Sequence, residues 1–242
     1  MRASLPLSQE PAEILVLAAH APELVGLRGH LADNLSGTLN GLYVVAKTIG
    51  VGMAVSGAGA ANRLHQLNPR AVLLLGSCGV YPGGFAYRPL DIVIPDRCNL
   101  FDPSASAGKA EFPEPMQTEL TAHGPMSAGL LSAAGGRARR APVATTLAIT
   151  TDDAVARAVL PATSLEAENL ELFPVALACR AADVPFASVL GVTNLVGSTG
   201  RTDWRTYQRD AAIAAADVIV SWIHSGAPGL PHRTKATQHD AV

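Results

Sequence analysis

The amino-acid sequence predicts a single α/β domain in which a central mixed β-sheet is flanked by helices. Length is the first reason: 242 residues suit one large domain, and single cores commonly reach about 250 residues. The second is a set of apolar runs of strand length at residues 14–19, 71–75, 90–94 and 143–150. Such runs belong to strands covered by helices on both faces. The third is that helix-length stretches alternate with these runs, the pattern of α/β folds. We expect an N-terminal extension over residues 1–12, the domain over 13–224 and a flexible C-terminal tail over 225–242.

Taken in order, residues 14–19 form a strand, and Pro22-Glu23 opens a helix that runs to about Leu31, because proline is pre-organised for a first helical position. Two further β-branched or apolar runs, 42–46 and 48–56, lie around Lys47; Gly57-Ala58-Gly59 then opens a helix ending near Asn68-Pro69. Residues 71–75 return as a buried strand, and 90–94 as another. From Asn99 to about Arg140, Pro103, Pro113, Pro115 and the basic run Arg137-Ala138-Arg139-Arg140 indicate excursion loops with one short helix at 126–133, a candidate lid. Residues 143–150 form a strand. A helix spans 170–182, with Pro174 in its first turn, where a missing N–H is tolerated. Residues 184–192 form the next strand, and Asp203 caps a last helix to about His224. The polar, Pro/Gly-rich segment beyond Ser225 is expected to be disordered.

Composition excludes several classes of function. The formal net charge of -2, with Lys and Arg scattered, lacks the field that neutralises nucleic-acid phosphates. No apolar stretch reaches membrane-span length, and residues 1–11 lack an apolar signal core. Cys78, Cys98 and Cys179 give an odd count without CxxC spacing, so neither a disulfide framework nor a zinc site is indicated; a reducing cytoplasm fits.

Chemistry is expected at Gly76-Ser77-Cys78-Gly79, which follows the buried strand 71–75. Ligands in open α/β sheets bind beyond strand C-termini, and glycines there let backbone N–H groups approach an anion or a sugar. A plain strand-ending turn would carry the same residues.

Several ordered motifs resemble those of the purine nucleoside phosphorylase and methylthioadenosine/S-adenosylhomocysteine nucleosidase superfamily. They are Ser56-Gly57-Ala58-Gly59, Gly76-Ser77-Cys78-Gly79, Leu90-Asp91-Ile92-Val93-Ile94, Glu168-Asn169-Leu170-Glu171 in place of Glu-Met-Glu, Val184-Pro185-Phe186 and Thr193-Asn194. The resemblance spans residues 13–224 and implies a nucleoside phosphorylase-like fold. It implies that Glu171 accepts hydrogen bonds from the ribose hydroxyls, as a carboxylate suits two vicinal donors. Leu170, in place of methionine, would pack on the sugar face, and Ser77 would position sugar or water. Gly57, Gly59, Gly76 and Gly79 would supply backbone turns for an anion or sugar.

Glu23 falls where hydrolytic members carry the glutamate that activates water; the same residue also reads as a first-turn acid complementing a helix dipole. Leu74 stands where hexameric phosphorylases have a phosphate-binding arginine, which favours water as nucleophile, although Arg28 keeps phosphate open. Asn194 replaces the aspartate that protonates adenine. An asparagine delivers no proton, but its amide can donate to O6 and accept from N7–H of a 6-oxopurine, with Thr193 beside it. With Arg201 and Trp204, this pattern looks most like futalosine hydrolases, which release hypoxanthine. The resemblance implies a nucleoside substrate and water as the partners, no metal or other cofactor, and a homodimer or higher homo-oligomer. A phosphorylase, an adenine-releasing nucleosidase and a silent nucleoside-binding protein are the alternatives. His20 and Asp102 are further candidates for lining the pocket.

Overall fold

The computed structural model describes residues 11–84 and 86–232. Strand β1 (Ile14–Ala18) is buried along its length and leads into a 3-10 helix (Ala21–Leu27). Strands β2 (Ser36–Leu39) and β3 (Leu42–Thr48) form a hairpin. Its turn is Asn40-Gly41, with φ of 47° and 79°, the paired positive values that a two-residue hairpin requires. Helix α1 (Met53–Leu67) precedes β4 (Ala71–Val80) and β5 (Ile92–Leu100). Then come α2 (Pro103–Ser106), β6 (Glu119–Thr121), α3 (Gly124–Ala134) and β7 (Ala138–Thr145). The chain continues through α4 (Asp153–Thr163), β8 (Ala167–Glu168), α5 (Leu172–Ala181), β9 (Phe186–Leu195) and α6 (Gly200–His224).

The sheet is mixed and partly closed. On one side, β1 lies between β3 and β4 in parallel, with β2 at the edge. On the other, β4, β8, β7, β5 and β9 bond in a ring, since β9 pairs with both β4 and β5. Alternation of side chains about a strand divides the core: Ile14, Val16 and Ala18 pack with residues of the 3-10 helix, α3 and α6. Leu15 and Leu17 pack with residues of α1 and α5 on the opposite face. A third cluster, around Tyr81, Phe101, Ala156 and Val196, seats α4 against the strand ends.

Several elements differ from the sequence reading. The segment after β1 is a seven-residue 3-10 helix rather than an α-helix to Leu31. It lies so close to α6 that a Cβ on Gly26 would come within 2.5 Å of the Ala216 Cβ. The run 48–56 is not a strand: β3 ends at Thr48 and α1 starts at Met53. Gly57 and Gly59 therefore lie inside a helix, and serve packing rather than a turn; a Cβ on Gly59 would run into the Ile49 carbonyl, and one on Gly57 would meet Pro174 at 3.2 Å. Gly76 and Gly79 likewise lie within β4, which runs to Val80. The basic run enters β7, where Arg139 and Arg140 are exposed. Thr199 is the N-cap of α6, and Asp203 sits in its first turn, accepting from the Thr199 hydroxyl at 3.1 Å.

Residues 225–232 are docked rather than a loose tail. Ala227 is buried, the Trp222 indole N–H donates to the Pro228 carbonyl at 3.0 Å, and Arg70 Nε donates to the Pro231 carbonyl. The remainder of the expected tail, 233–242, and residues 1–10 of the expected extension lie outside the described residues. No helix among the described residues is long and apolar enough to cross a membrane.

Candidate active site

A cavity of about 490 Å³ opens where β1, β4 and β9 end, closed on one side by the β8–α5 segment and on another by the start of α6. This is the sheet edge at which α/β folds bind ligands. The sheet delivers Ser77 from β4 and Thr193 and Asn194 from β9 to this edge; His20 and Glu23 come from the turn after β1, and Glu168 to Glu171 from the β8–α5 segment.

Glu23 is both a helix-start acid and a cavity residue. Its Oε2 accepts the Ala19 N–H at 2.8 Å and the His20 N–H at 3.3 Å, the return half of a capping box. Oε1 has no hydrogen bond among the described residues. Gly76 leaves room beside it: a Cβ there would lie 3.7 Å from Oε1. His20 Nδ1 stands 3.3 Å from Oε2, a close electrostatic contact rather than an aligned hydrogen bond.

Glu171 is buried at the foot of α1. Its Oε1 accepts the Gly52 N–H at 2.8 Å, and its Oε2 accepts from Asn169 Nδ2 at 3.3 Å. Gly52 is the N-cap of α1 with φ of 85°, a conformation that favours glycine. The helix end supplies partial positive charge here, and it is Gly52, not Gly57 or Gly59, that presents a backbone N–H at it. Burial, reinforced by nearby Glu23, raises the Glu171 carboxyl to about 7 despite those donors.

Asn169 organises the segment. It caps α5 by accepting the Glu171 and Leu172 N–H groups at 2.9 and 2.8 Å, and it donates to the Ser77 carbonyl at 2.9 Å. Glu168 faces the other way. It accepts from the Tyr81 hydroxyl at 2.8 Å, the Thr150 hydroxyl at 2.6 Å and the Thr150 N–H at 2.9 Å, pinning the loop that follows β7. Leu170, partly buried between them, lines the cavity.

Asn194 has a fixed amide orientation. Its Nδ2 donates to the Leu195 carbonyl at 2.8 Å, and its Oδ1 accepts from the Thr193 hydroxyl at 2.7 Å. A carbonyl only accepts, so the NH₂ must face Leu195. Gly79 and Gly200 flank the amide closely: Cβ atoms there would come within 2.7 and 2.9 Å of Nδ2.

Trp204 reaches the cleft from α6, its indole N–H donating to Ser77 Oγ at 3.3 Å. Cys78 also lines the cavity, but burial pushes its thiol up to about 12, so it is a neutral wall group. Arg28 is exposed and does not line the cavity, and Leu74 is buried in the core. Asp102 instead caps α2 by accepting from Ser104 and Ala105. Gly52, Asn169 and Thr150 were not anticipated as site residues. For Gly52 the available signal was a glycine preceding a helix start, displaced from the glycine motif itself.

Fold and cleft together define the class: the phosphorylase superfamily matches residues 10–223, and the chain belongs to that superfamily. Among solved structures, it is similar to 5′-methylthioadenosine/S-adenosylhomocysteine nucleosidase from Neisseria meningitidis in complex with methylthio-immucillin-A. The identity is 17% over 88% of this chain and 98% of that one, with a TM-score of 0.77. The nucleosidase of Colwellia psychrerythraea in complex with adenine gives 18% identity, 92% and 98% coverage and a TM-score of 0.79. Futalosine hydrolase of Helicobacter pylori gives 14% identity, 88% and 97% coverage and a TM-score of 0.76. These are likenesses of fold. No curated protein matches the chain.

Proposed function

We propose that the protein is a purine nucleosidase that hydrolyses the N-ribosidic bond of a 5′-modified nucleoside and releases a 6-oxopurine, as a futalosine hydrolase releases hypoxanthine. The observation that carries this reading is the asymmetry of Glu23. One oxygen is held by backbone N–H groups and the other has no hydrogen-bond partner among the described residues, the arrangement of a general base oriented by its own backbone.

In this reading, bond breaking is dissociative. The C1′–N9 bond lengthens, positive charge grows on the ribosyl ring, and Glu23 Oε1 takes a proton from the water that attacks C1′. Glu171 holds the ribose hydroxyls against Leu170, and Ser77 orients sugar or water. Asn194 steadies the departing base, which leaves with the C1′–N9 electron pair and takes its N7 proton from solvent water: after its local bonds, one Nδ2 hydrogen remains for O6 and one Oδ1 lone pair for the N7–H so formed. Thr193 keeps that amide in place.

Water is favoured over phosphate because Arg201 is the one Lys or Arg side chain lining the cavity among the described residues, and it is exposed. The exposed apolar residues Val51 and Ile149 at the cavity, with Val55 and Leu147, fit a homodimer or higher homo-oligomer. The three cysteines are free and buried, as suits a cytoplasmic chain.

The test is base release, followed by chromatography, from futalosine, inosine and methylthioadenosine with and without phosphate. The expected result is hypoxanthine from futalosine independent of phosphate. Adenine release would overturn the role given to Asn194, and strict phosphate dependence would make the protein a phosphorylase.

A further inference from the structure

His20 has no part in the chemistry described above, yet it lines the cleft. Its ring stacks on Trp204, with centroids 6.2 Å apart and planes at 29°. Trp204 is in turn tied to β4 through Ser77 Oγ. On its other side, Nδ1 stands 3.3 Å from Glu23 Oε2, the oxygen that also faces the Ala19 and His20 N–H groups. Two backbone donors and the His20 ring nitrogen thus converge on one oxygen. The terminal torsion of a glutamate is soft, so backbone donors on one side alone leave the carboxylate free to swing.

We propose that His20 is a positioning residue which, braced by Trp204, holds Glu23 Oε2 by its close electrostatic contact beside the two backbone donors and so aims Oε1 at the attacking water. This rests on the reading of Glu23 as the general base. The link runs across the molecule, from α6 through Trp204 and His20 to the turn after β1. Electrostatics act in the same direction. Glu23, and more weakly Glu171, raise the proton affinity of His20 above its ordinary value, while burial opposes them. The charged groups that share the cavity with His20 are Glu23, Glu168 and Glu171, and Arg201 from α6.

The test separates the donor from the ring. His20→Phe keeps an aromatic stack on Trp204 and removes Nδ1; His20→Asn places an amide donor near the Nδ1 position without a titrating group. With a nucleoside that the wild type cleaves, His20→Phe is expected to lower kcat on the order of ten-fold or more with little change in KM. His20→Asn should recover most of that loss, and should lack the alkaline decline in kcat that His20 gives the wild type. Loss confined to KM, or an asparagine variant no better than phenylalanine, overturns the proposal.

A second measurement is independent of turnover: NMR titration of the His20 ring in wild type and in Glu23→Gln. A midpoint that falls in the variant supports the contact, and an unchanged midpoint overturns it. If the wild type cleaves no nucleoside, the hydrolase reading fails by itself, and the titration still decides whether His20 and Glu23 act as a unit.

Discussion

The carboxylate of Glu171 accepts the backbone N–H of Gly52 at 2.8 Å across 119 residues of sequence, joining the β8–α5 segment to the N-cap of α1. The bond places a buried carboxyl where a helix end favours its charged form, while burial disfavours it more strongly. The ionised group is a cost to folding, and five experiments follow from this and the neighbouring contacts.

Replacing Glu171 by glutamine should abolish turnover while stabilising the protein at alkaline pH. The folded carboxyl is raised from 4.5 to about 7, so the folded state holds the extra proton and loses stability as pH rises through that interval. The shift corresponds to about 3 kcal/mol at most. Thermal melts should therefore show Glu171→Gln above wild type at about pH 8, with the advantage gone below about pH 4.5. A lower melting temperature at both pH values would contradict the assignment.

The same group sets an expectation for activity against pH. Above about 7 Glu171 is ionised and free to accept from both hydroxyls of a ribose, as proposed; below it, one oxygen carries a proton. Thus kcat/KM should fall as pH drops through about 7, a limb belonging to the free enzyme. A profile flat across that range would remove Glu171 from ribose binding.

Glu23→Gln and Glu23→Ala should part company in stability. The amide oxygen of glutamine can still accept the Ala19 and His20 N–H groups, so folding is retained while base catalysis, typically worth 10²–10⁴-fold, is lost. Alanine loses the cap as well, at about 1 kcal/mol. Melting curves beside single-turnover rates distinguish the two effects.

Asn194→Asp is expected to shift base choice toward 6-aminopurines. An aspartate there would face the Leu195 carbonyl, which accepts the Asn194 N–H at 2.8 Å; two acceptors repel unless the carboxyl is protonated. That proton is what an adenine leaving group needs. Competition between methylthioadenosine and futalosine should show the ratio of kcat/KM moving toward the former, and an unchanged ratio would argue against a role for residue 194 in reading the base.

Gly79→Ala tests the close approach beside the base site. Its Cβ would lie 2.7 Å from Asn194 Nδ2 and 2.9 Å from Val196 Cγ2, so the amide must move. Activity should drop by more than the change in stability accounts for, and wild-type kcat/KM in this variant would show that the amide's position is immaterial.

The sequence made the buried framework readable because β1, the first half of β4 and the body of α6 are long apolar or helical patterns with little ambiguity. The edge was harder. Ser36 to Leu39 is short and polar, and its signal lay in Asn40-Gly41, a two-residue hairpin turn that went unread. The α4 helix was likewise missed although Asp152 caps it by accepting from Ala154 and Val155. Strand β7 starts earlier than expected because Arg139 and Arg140 are exposed within it, and a basic run suggests a loop; β5 runs on past its expected end through Pro95, Asp96, Arg97 and Asn99, residues that break the apolar pattern. At the site, motif order located Glu23, Glu171 and Asn194 on one cavity. It misplaced the glycines, since a glycine that admits a neighbour in a packed helix and one that bends a turn look alike in one dimension.

The ring formed by β4, β8, β7, β5 and β9 also determines how this molecule breathes. A ring has no terminal strand to peel away, so amides of β4 and β9 around Ser77 and Thr193 should exchange with solvent deuterium only when the whole domain opens. The β2–β3 hairpin, at the free edge, should exchange through local fraying. This wall of the cavity would then belong to the last part of the fold to surrender its hydrogen bonds, and heat or denaturant would extinguish the cavity and the structure in a single event.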